Sequence, residues 1–266
     1  MIDKYARKIN YLRISVTDRC NLRCRYCMPE EGIKLLKHED ILSFEEIIDL
    51  TKTAVDAGIT KVRLTGGEPL VRHGIVKLVE AIGNIDGIED FAMTTNGSLL
   101  ARYAQSLADA GLHRVNISLD TTDAKCYRQI TRCGDIEQVF SGIEAAQTSG
   151  LNPIKLNCVV GDFSDESDAR SVKEFGLAND LQVRFIRLMH FETGCFSVVE
   201  GGTGGDCERC NRLRLSSDGK IRPCLFSDIS FNTRLLGPRQ AIQRAVAEKP
   251  KAGGSCKHNW MHGIGG

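Results

Sequence analysis

Apolar runs rich in β-branched residues alternate along the chain with segments of helical period. YLRISV, KVRLTGG, DFAMTTNG, HRVNISLD, PIKLNCVV and QVRFIRLM read as six strands. Between them SFEEIIDLTKTAVDAG, HGIVKLVEAIG, LLARYAQSLADAG, DIEQVFSGIEAAQTSG and SDARSVKEFG read as five helices. This alternation predicts right-handed crossovers and a parallel sheet covered by helices. The punctuation agrees: Ser43 and Glu46 form a capping pattern, Gly58 and Gly111 stand where helices stop, and Gly150 precedes Pro153 at another boundary. Six βα units are too few to close an eight-stranded barrel, so the expected fold is α/β, a partial, laterally open (β/α)6 TIM-like barrel over residues 1–190.

Polar and glycine-rich residues collect at the strand ends: Ser15 to Cys27, Gly66-Gly67-Glu68, Asn96-Gly97, and Ser118 to Asp120. Loops at the carboxyl ends of parallel strands build active sites, so these are expected to share one mouth. Both periodicities are lost over 191–206, a glycine-rich linker. Residues 207–266 read as a small C-terminal region, with a hairpin around Asp218-Gly219 and one amphipathic helix near 238–248.

The chain has eleven cysteines, and six of them fall into two tight groups. The opening residues lack the apolar core of a secretory signal, so metal binding in a reducing compartment fits better than disulfides. Cys20, Cys24 and Cys27 have C-x3-C-x2-C spacing. Three such thiolates can hold three irons of a 4Fe–4S cluster and leave the fourth open to an outside molecule. Zinc loops more often pair two C-x2-C halves. The second group, Cys207, Cys210 and Cys224, is C-x2-C-x13-C. Spacing alone leaves that group open between another cluster and a zinc completed by His258 or His262. Arg212 and Arg214 follow on alternate positions of a strand, which puts both guanidinium groups on one face, suited to phosphate.

Formal net charge is +1 and the sequence pI about 7.5, so no global field draws nucleic acid or anionic membrane, and local basic residues must hold any anionic ligand. No apolar run has membrane-spanning length, and a soluble cytoplasmic protein is expected.

The cysteine triplet after the first strand and Thr65-Gly66-Gly67-Glu68-Pro69 after the second together resemble the radical S-adenosylmethionine (SAM) superfamily. YLRISVTDRCNLRCRYCMP, KVRLTGGEPLVR, TTNG, RVNISLD, CNRLRLSSDGKIRPCLFS and the terminal Gly265-Gly266 narrow the resemblance to the GTP 3′,8-cyclase family of molybdenum-cofactor biosynthesis. The resemblance implies two 4Fe–4S clusters, one on Cys20, Cys24 and Cys27 and one on Cys207, Cys210 and Cys224. It also implies SAM contacts from Tyr26, Gly66, Gly67, Glu68, Ser118 and Met189. GTP would be held by Arg13, Lys61, Arg63, Thr94, Lys155, Arg184, Arg212 and Arg214, with Gly265 and Gly266 entering the active site. In the implied reaction a 5′-deoxyadenosyl radical takes hydrogen from C3′ of GTP, and the carbon radical attacks C8 to give 3′,8-cyclo-7,8-dihydro-GTP. Arg13 would assist the later electron and proton step. The implied partners are a reductant such as a flavodoxin or ferredoxin, a downstream cyclic pyranopterin monophosphate synthase and a second copy in a homodimer.

The chain departs from the family pattern between Met189 and Cys207, where the family carries several tens of residues more. Less cover over the open side of the barrel is therefore expected. Two other readings are open: a paralogue acting on a peptide, which would not need the Arg212/Arg214 pair, and a degenerate binding module. Asp120 is expected to cap or hydrogen-bond within its own loop. His73, His113 and His190 have no metal-like spacing, and Cys158 reads as a buried small hydrophobe.

Overall fold

A computed structural model describes residues 1–161 and 166–256. Six parallel strands, β1 (Tyr11–Ser15), β2 (Lys61–Thr65), β3 (Asp90–Thr95), β4 (Arg114–Ser118), β5 (Lys155–Val160) and β6 (Gln182–Arg187), lie side by side in chain order. Helices α1 (Phe44–Asp56), α2 (Ile75–Gly83), α3 (Leu100–Asp109), α4 (Ala124–Thr131), α5 (Ile136–Thr148) and α6 (Glu166–Ala178) fill the crossovers. The sheet ends at β6 on one side, so the barrel is partial and laterally open, as the count of βα units requires.

Side-chain alternation divides the sheet into two unlike faces. Leu12 and Ile14, Val62 and Leu64, Phe91 and Met93, Val115 and Ile117, and Leu156 and Cys158 are all at most 1 % exposed and join one core with α1 to α5. Full burial of an aliphatic side chain is worth about 1.5–3 kcal/mol, so this outer face supports the barrel. The intervening positions, Tyr11, Arg13, Lys61, Arg63, Asp90, Thr94, Arg114, Asn116, Lys155, Asn157 and Arg184, belong to the opposite face. There the strands carry polar groups without weakening the core.

Local signals explain the helices. Ser43 Oγ accepts from Glu46 N at 3.2 Å while Glu46 Oε2 accepts from Ser43 N at 2.7 Å, a complete capping box for α1. The helix then buries Ile47, Leu50, Thr51 and Ala54 along one stripe.

Two features go beyond the sequence pattern. Helix α4 was not expected, because AKCYRQIT is short and polar; it starts on Asp123, whose side chain accepts from Cys126 N at 2.7 Å. The C-terminal hairpin, β7 (Arg212–Leu215) and β8 (Lys220–Arg222), also does more than form an appendage. Strand β7 pairs in parallel with β1, Tyr11 opposite Arg212 and Arg13 opposite Arg214, and so continues the barrel sheet. Strand β9 (Phe231–Asn232) finishes the sheet, and α7 (Thr233–Leu236) and α8 (Pro238–Ala247) follow, α8 lying against α1. Among the described residues no helix is long and apolar enough to cross a membrane.

Candidate active site

The first cysteine set lies on the loop after β1. The N–H of Leu22 (3.4 Å) and Asn96 Nδ2 (3.9 Å) donate to the Cys20 sulfur. Burial, then the charge of Cys27, pushes the Cys24 thiol up, and burial followed by Cys20 takes Cys27 to about 12. Thiols crowded so closely ionise readily only beside positive charge, which iron supplies. Donors at one sulfur and three half-buried thiols on one loop fit a cysteine-ligated cluster.

Behind this loop the Gly66-Gly67 turn approaches the chain itself rather than leaving a gap. Gly67 N donates to Thr17 O and Glu68 N to Arg19 O, both at 2.8 Å, and a Cβ on Gly67 would sit 2.4 Å from Arg19 O. The glycine is therefore needed for the close seating of the cysteine loop. The Glu68 carboxylate accepts from Leu70 N (3.1 Å), Thr95 Oγ1 (2.7 Å) and Asn96 N (2.7 Å), while burial, opposing these donors, pushes its carboxyl up to about 7. Glu68 thus ties the loops after β2 and β3 together. Asp120 does not cap its own loop as expected. It accepts from Tyr26 Oη at 2.9 Å and from Val159 N at 2.8 Å, linking the cysteine loop to β5, and burial raises its carboxyl to about 6. Ser118 is half-buried at the end of β4.

The inner face opens on a cavity of about 370 Å³. Eight basic residues line it, Arg13, Lys61, Arg63, Arg114, Lys155, Arg184, Arg212 and Arg214, against Asp90 and Asp206. Strand register explains the density: Arg214, Arg13 and Arg63 are direct neighbours across β7, β1 and β2. Like charges ~5 Å apart repel by about 3 kcal/mol at an effective dielectric of ~20. Burial, then Arg214, pulls the Arg13 guanidinium well below its ordinary value. Burial, then Arg212, brings Arg214 down to about 10, and burial with Arg184, Arg114 and Arg63 brings Lys155 to about 8. Among the described residues, the Nε atoms of Arg63 and Arg184, Tyr11 Oη, Thr94 Oγ1 and Asn116 Nδ2 are buried without a hydrogen-bond partner. Such atoms and such charge call for a polyanionic ligand bearing both acceptors and donors.

Cys207, Cys210, Cys224 and Met189 line the same cavity, next to Arg212 and Arg214. Among the described residues no three Cys, His, Asp or Glu side chains gather around a single-ion position. A cluster needs a different layout, with each thiolate on its own iron. Burial opposes ionisation of Cys210, but Lys249 and Arg212 outweigh it and hold its thiol below the usual range, a donor set that fits a cluster. His258, His262, Gly265 and Gly266 lie outside the described residues.

The short 191–206 segment forms one wall. Phe185 and Glu200 bridge it to β6, Arg212 Nη2 donates to Thr203 O at 2.7 Å, and Phe196, Ser197, Val199 and 202–206 line the cavity. Gly205, at φ +79°, lets this segment fold back on Ser197. Sequence reasoning missed Tyr11, Asp90, Arg114 and Asn157, all of which line the cavity. Arg114 is engaged by Asp90 through paired contacts of 2.9 and 2.7 Å and by Asn116 Oδ1 at 3.0 Å. Their places at inward positions of strands already recognised were the available signal.

A half-open parallel barrel with a three-cysteine loop after its first strand defines the class, and the radical SAM superfamily profile matches residues 14–175. Solved structures agree on the fold. SuiB from Streptococcus suis, bound to precursor peptide SuiA, superposes with a TM-score of 0.67 at 15% identity, over 92% of this chain and 66% of that longer one. The enzyme anSMEcpe with bound AdoMet does so with 0.63 at 16%, over 91% and 78%. Curated relatives are more specific: GTP 3′,8-cyclase from Thermodesulfovibrio yellowstonii is 43% identical over 86% of this chain and 85% of its own, and that from Alkaliphilus oremlandii 44% over 93% and 91%. The chain belongs to the GTP 3′,8-cyclase family of radical SAM enzymes. An alignment of 302 positions with the Petrotoga mobilis enzyme exceeds the 266 residues of this chain, so that relative carries residues this chain lacks.

Proposed function

We propose that the protein is a radical SAM cyclase that converts GTP to 3′,8-cyclo-7,8-dihydro-GTP, the first step of molybdenum-cofactor biosynthesis. One observation carries the reading: the eight basic side chains and the second cysteine set line a single cavity. Cys20, Cys24 and Cys27 hold one cluster and Cys207, Cys210 and Cys224 the other. When bound, the first cluster supplies the electron that releases a 5′-deoxyadenosyl radical from SAM. Tyr26, Gly66, Gly67, Ser118 and Met189 hold SAM, with Glu68 bracing the loop.

The work of the chain is to bind, orient and exclude water. Arg13, Lys61, Arg63, Thr94, Lys155, Arg184, Arg212 and Arg214 hold the nucleotide, and the anion relieves the repulsion stored along the Arg214–Arg13–Arg63 row. Arg13, whose proton is loosened by burial and by Arg214, assists a late proton step. The protein works in the cytoplasm, takes electrons from a flavodoxin or ferredoxin, passes its product to a cyclic pyranopterin monophosphate synthase, and pairs as a homodimer. A peptide substrate, such as that held by SuiB, has no use for this row of arginines.

Anaerobic reconstitution tests the reading. About eight irons per chain are expected, falling to about four in Cys224→Ala, with SAM cleavage that requires GTP. A single cluster, or SAM cleavage stimulated by peptide and not by GTP, rejects it.

A further inference from the structure

Two buried cations outside the nucleotide cavity make their hydrogen bonds to the segments that carry the second cysteine set. Arg7 is 8 % exposed. Its Nε donates to Asp3 Oδ2 at 2.7 Å, its Nη1 to Cys207 O at 2.7 Å and to Lys251 O at 3.0 Å, and its Nη2 to Pro250 O at 2.7 Å. Lys249 is 1 % exposed, and its Nζ donates to Arg212 O at 2.7 Å and to Pro223 O at 2.5 Å. Three of those carbonyls, of Cys207, Arg212 and Pro223, belong to or flank the three cysteines. Cys207 is held directly, Arg212 lies two residues after Cys210, and Pro223 immediately precedes Cys224. The Lys249 ammonium also faces the Cys210 sulfur.

Burying an ammonium or a guanidinium is costly unless its donors are satisfied. An ammonium has three donors, and here two carbonyls and one sulfur surround it. Cys207 and Cys224 stand on separate segments, joined in sequence only through β7 and β8. The antiparallel β7–β8 ladder, Arg214 opposite Arg222, brings the two segments near each other, and the bonds from Arg7 and Lys249 tie them together beyond its last pair.

We propose that Arg7 and Lys249 form a buried clamp that fixes the spacing of Cys207, Cys210 and Cys224 before a cluster is inserted. Both are positioning residues. The inference rests on the second cluster assigned above, and its test reads the apoprotein as well as the loaded one.

In the folded apoprotein, alkylation of each cysteine is followed by mass spectrometry. With each rate normalised to the ionised fraction of its thiol, Lys249→Met is expected to speed labelling of Cys210 and Cys224 by about tenfold or more, and Arg7→Lys to act first on Cys207, with Cys20, Cys24 and Cys27 unchanged in both. After reconstitution, Lys249→Met is expected to hold about four irons instead of about eight and to lose the electron paramagnetic resonance signal that GTP perturbs, while Lys249→Arg regains part of both. Unchanged labelling of Cys210 and Cys224, or all six cysteines labelling faster together, overturns the clamp. Should Lys249→Met fail to fold, Arg7→Lys decides by the same pattern. If the unaltered protein takes up only one cluster, the two-cluster reading falls, and the apoprotein labelling still decides the clamp.

Discussion

Arg63 shows how one residue serves the ligand at the expense of the empty protein. Arg63 is 7 % exposed, its guanidinium lies 5.4 Å from the Tyr11 ring centroid, and among the described residues its buried Nε has no acceptor. Replacing a poorly compensated buried cation with an apolar side chain of similar length removes its desolvation cost. Arg63→Met is therefore expected to stabilise the apoprotein by about 1–2 kcal/mol in chemical denaturation and to weaken GTP binding by about tenfold or more. Destabilisation of the apoprotein would mean that Arg63 is already satisfied. Lys155 supplies the pH dependence. In the empty cavity burial and neighbouring arginines hold it at about 8, so near pH 8 it is partly deprotonated; an anion cancels those charges and restores the proton. Calorimetry in buffers of different ionisation enthalpy should show uptake of about half a proton on GTP binding at pH 8, fading towards pH 6.5 and absent in Lys155→Met. Release of protons would reverse the sign and refute the assignment.

At the scale of elements, α4 is the support the sequence pattern did not reveal. Its eight residues carry only one turn or so of apolar signal, and what holds the helix is tertiary: Arg23 N donates to Thr131 O and Arg25 N to Ile130 O at 3.1 and 3.0 Å, and Arg132 Nη1 donates to Arg23 O and Met28 O at 2.7 and 3.0 Å. The helix end is thus a platform for the first cysteine loop. Asp123→Ala removes the cap and should cost about 1 kcal/mol, with faster amide exchange over 20–28 and no change over 207–224. Uniform exchange changes across both cysteine regions would contradict a local role. The six barrel strands and the hairpin were legible because alternation and turn residues are local signals. The pairing of β7 with β1 was not, since Tyr11 and Arg212 meet across most of the chain with no local mark of it. The close fit of Gly67 against Arg19 was legible only as a loop that needs glycine, while its neighbour is set by the fold.

For the whole molecule, a formal net charge of +1 conceals a strongly basic interior. Composition was therefore right to exclude a global field and silent about the local one, which appears only when six strands bring distant basic residues to one face. The same arrangement brings the second cysteine set to the basic cavity, while the 191–206 segment, short as it is, closes one side. Because the cavity is recessed, GTP affinity should fall with ionic strength less steeply than for a surface site of equal charge, a titration between low and moderate salt being the check. The central claim is that one cavity presents a purine nucleotide to radical chemistry generated at the barrel mouth. The most direct measurement is the product of an anaerobic reaction of the reconstituted protein with GTP, SAM and reductant, identified by mass and by the fluorescence of its acid-derived pterin. The expected product is 3′,8-cyclo-7,8-dihydro-GTP, formed in step with SAM cleavage; GTP recovered intact while both clusters are present would contradict this.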